Sequence, residues 1–153
     1  MSPVWGVHTG LQNTGVAELR SLWAHIEDLG FDWISIWDHF YAADLTGPHC
    51  LEAVAAHTAL ALDTRRVRCG SLVYCAGYRH PAVLANAMAT IDHLSGGRVD
   101  FGIGAGWAQP EYAAYGIPFP TAGKRLDLLE EAVQCVRSLL RQDMTDFEGR
   151  YFT

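Results

Sequence analysis

Apolar positions along the chain switch repeatedly between two periods. A short apolar run from Val4 to His8 leads into a segment where Val16, Leu19, Leu22, Trp23, Ile26 and Leu29 recur at spacings of three and four, the period of an amphipathic helix. Gly30 follows as a helix C-cap would. Trp33 to Trp37 reads as a strand, and a loop with Gly47 and Pro48 separates it from a helix expected from about Leu51 to Leu62. "VRCGSLVYC", residues 67 to 75, is rich in Val, Leu and Tyr and reads as a third strand. Pro81 suits a first helical turn, and Leu84, Ala87, Met88, Ile91 and Leu94 mark one face of the helix behind it. "LSGG" breaks that helix and "VDFGIG" is a fourth strand. A longer loop with Pro110, Pro118 and Pro120 leads to a helix near Lys124 to Arg141, with Leu126, Leu129, Val133, Val136 and Leu140 aligned. The closing "FEGRYFT" predicts an extra strand.

Four strand-helix units in succession mean an α/β fold, a parallel sheet with helices packed outside it. Two architectures satisfy the spacing: an open doubly wound sheet, or part of a (β/α)8 barrel. The turn after the first strand, "HTGLQNTG", lacks the G-x-G-x-x-G that would favour an open dinucleotide fold. A complete barrel typically takes about 250 residues, and this chain has 153. Spacing leaves the choice open.

Composition narrows the class of function. With 50% hydrophobic and 18% charged residues, residues 1–153 suit a single well-cored domain. The formal net charge of -6 disfavours nucleic acid or an anionic membrane as the main partner. Cys50, Cys69, Cys75 and Cys135 have no C-x-x-C spacing and read as small buried residues of a reducing compartment. "MSPVWGVHTG" has no basic segment followed by an apolar one, and no apolar run reaches membrane-spanning length. A cytoplasmic protein is expected.

In both architectures ligands bind at the carboxyl ends of the strands. Those ends carry His8 and Thr9, then Asp38 and His39, then Tyr74, Arg79 and His80, and finally "GIGAGW", residues 102 to 107. Asp38-His39 is either a structural tie between strand and loop or an imidazole placed to move a proton near neutral pH. Gly104 and Gly106 either allow close backbone packing or let a flat or phosphorylated ligand approach the main chain. His80 before Pro81 reads as a helix-entry residue, and Glu111 as a solvated loop carboxylate. No H-x-H or clustered ligand spacing suggests a metal, and no G-x-S-x-G suggests a serine hydrolase.

Taken together, "DHF" after the second strand, "LVYCAGYRHPAVLANAMATIDHLSGGRVDFGIGAGW" and "EYAAYGIPFPTAGKRLDLLEEAV" closely resemble the luciferase-like monooxygenase family, in its deazaflavin-dependent branch. The resemblance runs in order along almost the whole chain. It implies a (β/α)8 barrel, of which this chain supplies the first four units, the N-terminal half of one barrel domain. It implies that His39 transfers a proton beside the reactive ring atom and that Asp38 is the adjacent carboxylate. It also implies a bulge with a non-prolyl cis peptide at Leu72-Val73 backing the tricyclic ring. His8, Leu72, Val73, Tyr74, Gly104, Ala105, Gly106 and Trp107 are the cofactor-binding candidates.

The activity implied is hydride transfer between reduced coenzyme F-420 and a small organic substrate. The alternatives are an FMN-dependent monooxygenase using molecular oxygen, or a catalytically incomplete half-barrel that acts only through assembly, as a homodimer or with the missing C-terminal half. One position departs from the family pattern. Several deazaflavin dehydrogenases carry a catalytic Glu just after the fourth strand's glycines, where this chain has Trp107. An indole cannot exchange that proton; stacking on substrate or closing the pocket suits it better.

Overall fold

The computed structural model describes residues 3–42 and 49–153; the expected loop with Gly47 and Pro48 lies outside them. Among the described residues, nine elements follow in order: β1 (Gly6–His8), α1 (Val16–Asp28), β2 (Trp33–Ile36), α2 (Ala53–Asp63), β3 (Arg68–Cys75), α3 (Pro81–Ser95), β4 (Val99–Gly104), α4 (Gln109–Ala114) and α5 (Ala122–Leu139). The strands form one sheet in the order β1-β2-β3-β4, with β1 parallel to β2 and β2 parallel to β3. A doubly wound sheet reverses direction beside its first strand, whereas a barrel adds each strand beyond the last. The sequential order therefore excludes the open alternative that spacing left standing.

The chain divides into two compact units, Met1–Tyr74 with Thr90–Gly102, and Cys75–Ala89 with Ile103–Thr153. In the first, α1 buries only Leu19, Trp23 and Ile26, while Val16, Leu22 and Leu29 stay exposed. The apolar stripe is thus narrower than its sequence suggests. Trp23 is almost fully buried and its indole N–H donates to Thr9 Oγ1 (3.1 Å), whose hydroxyl donates in turn to the Ser35 carbonyl (3.1 Å). That chain of bonds satisfies the buried indole and fixes α1 against the end of β1. Gly102 is needed where β4 passes β3: a Cβ there would meet the Ser71 carbonyl and lie 2.8 Å from Val73 Cγ1.

Two charged side chains hold the turn between α2 and β3. Glu27 accepts backbone N–H bonds from Arg65 (3.0 Å), Arg66 (2.6 Å) and Val67 (2.9 Å). Partial burial works to raise its pKa, but the three donors and the nearby Arg98 outweigh it, and the net shift is downward. A carboxylate with a depressed folded pKa stabilises the fold above its ordinary value of 4.5, and that contribution is lost as pH falls through the folded pKa. Glu27→Gln is therefore expected to cost roughly 1 kcal/mol at pH 7. Thermal melts should show the gap between variant and wild type closing as the pH is lowered well beneath 4.5.

In the second unit the elements read from the sequence need three corrections. Gln109–Ala114, expected as loop, is a short helix with Pro110 in its first turn, where proline's missing N–H costs nothing. In α5 the buried residues are Ala132, Cys135 and Val136, while Leu126 and Leu140 are exposed, so the packed face is rotated from the predicted one. "FEGRYFT" is not a strand. The Glu131 carboxylate takes the N–H groups of Arg150 (2.9 Å) and Tyr151 (2.8 Å), and Gly149 N–H bonds the Phe152 carbonyl (2.9 Å). Those donors are spent on a turn and have none left for a ladder. His80 behaves as expected of a helix-entry residue, its Nδ1 accepting the Ala82 N–H (3.2 Å) ahead of Pro81.

Candidate active site at the strand ends

Register places the candidates of the first unit at one end of the sheet. His8 pairs with Ser35, and Ile36 with Ser71, so Asp38-His39 and Leu72-Val73 lie just past neighbouring strand pairs. At β1, His8 Nδ1 lies 2.8 Å from Ser35 Oγ, which ties the ring to β2; the hydroxyl can serve either tautomer. Partial burial lowers the pKa of His8 below the usual imidazole value, keeping it neutral at pH 7. Asp38 is buried at 3% exposure and His39 is half-buried. The His39 ring stands edge-on to Trp37, centroids 5.2 Å apart and planes at 76°.

β3 breaks its own burial pattern here. Cys69, Gly70 and Ser71 are buried, Leu72 and Val73 are exposed at 56% and 37%, and Tyr74 is fully buried again. Two consecutive exposed apolar side chains cannot arise from regular alternation, and the Leu72-Val73 peptide is cis, as the resemblance implies. Tyr74 turns inward: its hydroxyl lies 2.9 Å from Nδ1 of the fully buried His57, and its ring meets Phe101 edge-on. Burial drives the His57 pKa down to about 4, so this imidazole is a neutral packing partner. The Tyr74 side chain is thus committed to the core, leaving its backbone as the part at the strand end.

The remaining candidates belong to the second unit. Gly106 adopts φ +76°, and a Cβ there would meet the Tyr112 hydroxyl and lie 2.6 Å from Cys75 Sγ. No other residue fits that turn. Arg125 Nε donates to the Gly106 carbonyl (3.1 Å) while its guanidinium covers the Phe119 ring, holding the loop through Gly104, Ala105 and Gly106. Trp107 beyond it is 63% exposed. Glu111 is a correction: instead of a solvated carboxylate it is buried at 1% exposure and accepts the Tyr78 hydroxyl at 2.5 Å. Burial and that bond raise the Tyr78 pKa, so the phenol stays protonated and can donate to the Glu111 carboxylate.

Trp37, Ser35 and His57 were not among the sequence candidates. Ser35, a hydroxyl inside the apolar run "WISIW", carried a visible signal; Trp37 and His57 read as ordinary apolar and helical positions. Cys69, Cys75 and Cys135 are buried and form no disulfide, and burial pushes the Cys69 thiol up to about 11. Among the described residues no group of three or more His, Cys, Asp or Glu could hold a metal, and no helix is long and apolar enough to cross a membrane.

A parallel sheet whose strands follow one another in chain order, with imidazole, carboxylate and exposed apolar side chains at its strand ends, is the arrangement of a (β/α)8 barrel. Residues 3–153 match the luciferase-like monooxygenase family, and the chain belongs to it. It is 34% identical over 148 residues to an F420-dependent glucose-6-phosphate dehydrogenase of Amycolatopsis mediterranei (strain U-32), covering 96% of this chain and 44% of that protein. A Rhodococcus erythropolis protein (strain PR4) of the same name is 35% identical over 150 residues, again with 44% of its length covered. Among solved structures, an F420-dependent secondary alcohol dehydrogenase in complex with an F420-acetone adduct superposes with a TM-score of 0.91 at 28% identity, over 99% of this chain and 46% of that one. The FMN complex of the oxygenating constituent of a 3,6-diketocamphane monooxygenase from Pseudomonas putida shares the fold, with a TM-score of 0.77 at 20% identity and 43% of its chain covered. The chain spans less than half the length of these relatives, and its fold is four β-α units of the (β/α)8 barrel.

Proposed function

We propose that residues 1–153 form the N-terminal half of a barrel domain that binds coenzyme F-420 and transfers hydride between it and a small organic substrate. The observation that carries this reading is the paired exposure of Leu72 and Val73 beside the Asp38-His39 strand end. An apolar, solvent-facing platform next to a half-buried imidazole fits a flat redox ring, and the F420-dependent relatives described above support a deazaflavin. The chemistry such a group supplies when bound is hydride transfer at one ring carbon.

This chain's own residues then divide the remaining work. Leu72 and Val73 present the apolar surface that excludes water from one ring face. His39 holds or moves the proton that accompanies hydride, and buried Asp38 sets its orientation. His8, neutral and fixed by Ser35, lines the same strand ends without adding charge. Gly104 to Trp107 enter the proposal by family position, as the loop that accompanies the cofactor. Trp107 replaces the acid of the dehydrogenase pattern, so the substrate proton must be handled by His39 or by the substrate itself.

Fluorescence titration of the full-length protein with coenzyme F-420 and with FMN tests the cofactor. Saturable binding of the deazaflavin is the expected result. Binding of FMN alone, with oxygen consumed during turnover, replaces hydride transfer with monooxygenation.

A further inference from the structure

Trp37 takes no part in the chemistry above, yet it touches the imidazoles of both His8 and His39. Its ring centroid lies 5.7 Å from that of His8 at 74° and 5.2 Å from that of His39 at 76°. Edge-to-face contact at these distances is the favoured arrangement of aromatic rings and is directional, because a positive ring edge seeks a negative ring face. The indole lies close to Gly10, in the loop after β1: a Cβ added there would come within 3.5 Å of Trp37 Cζ2, ordinary van der Waals contact. Its Nε1–H is buried with no acceptor among the described residues. A buried donor without a partner is destabilising, and Leu or Phe would fill the same space without that penalty. Broken local rules of this kind gather at functional sites.

We propose that Trp37 is a positioning residue, an indole wedge that sets the ring orientations of His8 and His39 by standing edge-to-face against both. The inference rests on the reading of His39 as the proton-transfer group. The wedge gives each ring a second point of fixation. For His8 it adds to the Ser35 bond; for His39 it acts from the residue two positions earlier, in the short stretch just past the end of β2.

The test uses full-length protein labelled at histidine, without cofactor, so that ring geometry is read apart from activity. In Trp37→Leu the ring proton signals of both His8 and His39 should shift, and the nuclear Overhauser contacts that define their orientation should be lost. Trp37→Phe should preserve most of both. Gly10→Val, which leaves the indole in place but crowds its edge, should displace the same two signals. In turnover, Trp37→Leu should lower kcat roughly three- to tenfold, the effect of one lost aromatic pair, with Trp37→Phe restoring most of it. Unchanged His39 signals in both Trp37→Leu and Gly10→Val overturn the proposal. Shifted signals with unaltered kcat uphold the wedge and remove His39 from proton transfer instead.

Discussion

His39→Gln in the full-length protein is expected to lower kcat by about 10²- to 10⁴-fold, the usual contribution of a placed general acid or base, while leaving deazaflavin affinity within a few-fold. Glutamine keeps the size and polarity of the half-buried side chain but cannot exchange a proton near neutral pH. The two parameters separate the roles. If the imidazole only packed against Trp37, its replacement would show as lost stability or weakened cofactor binding, with chemistry intact in the molecules that remain loaded. Single-turnover rates with cofactor in excess isolate the chemical step. A His39→Gln rate within threefold of wild type would assign the proton to another group.

The largest structural effect is expected at Arg98. Its guanidinium donates to the carbonyls of Ala61 (2.6 Å), Thr64 (2.9 Å), Val67 (2.7 Å) and Ser95 (2.8 Å), and to Thr64 Oγ1 (3.0 Å). Ala61 and Thr64 end α2, where free carbonyls and the helix dipole both favour a cation. Val67 leads into β3 and Ser95 closes α3, so a single planar fork joins three element ends. Arg98→Met removes five charge-assisted bonds and leaves their acceptors to be hydrated as best they can. A loss of about 3 kcal/mol is expected, or a fall of roughly 10 °C in Tm for a chain of this size. Arg98→Lys should recover little, because one ammonium cannot span these acceptors. Urea unfolding with an unchanged slope measures the loss directly. A cost under 1 kcal/mol would mean the turn is held by Glu27 without the guanidinium.

Much of this frame was legible in the residues because period and punctuation agreed. The 3.6-residue spacing of Leu19, Trp23 and Ile26, the cap at Gly30 and the Val-, Leu- and Tyr-rich stretch of β3 all agree with the elements that form. Where the predicted strands stop already pointed to His8, Asp38, His39, Gly104 and Gly106, while the family motifs carried the position of the cis linkage, which periodicity does not reveal. What stayed hidden depended on contacts distant in sequence. Pro110 reads as a breaker until it is seen in the first turn of a six-residue helix. The aromatic run near Tyr151 reads as a strand until Glu131 claims its N–H groups. Glu111 reads as solvated because nothing local announces the Tyr78 hydroxyl, 33 positions away, that makes its burial tolerable. Trp37, one more aromatic in an apolar run, gains meaning only from the two imidazoles beside it.

The account depends on a redox ring lying against Leu72 and Val73 within reach of His39. A crystal structure of the full-length protein with coenzyme F-420 tests this most directly. It should show the deazaflavin ring in van der Waals contact with both side chains and a His39 nitrogen within hydrogen-bonding distance of the cofactor or substrate at the reacting carbon. A ring bound elsewhere on the barrel, with Leu72 and Val73 covered by protein and His39 facing packed side chains, would contradict it.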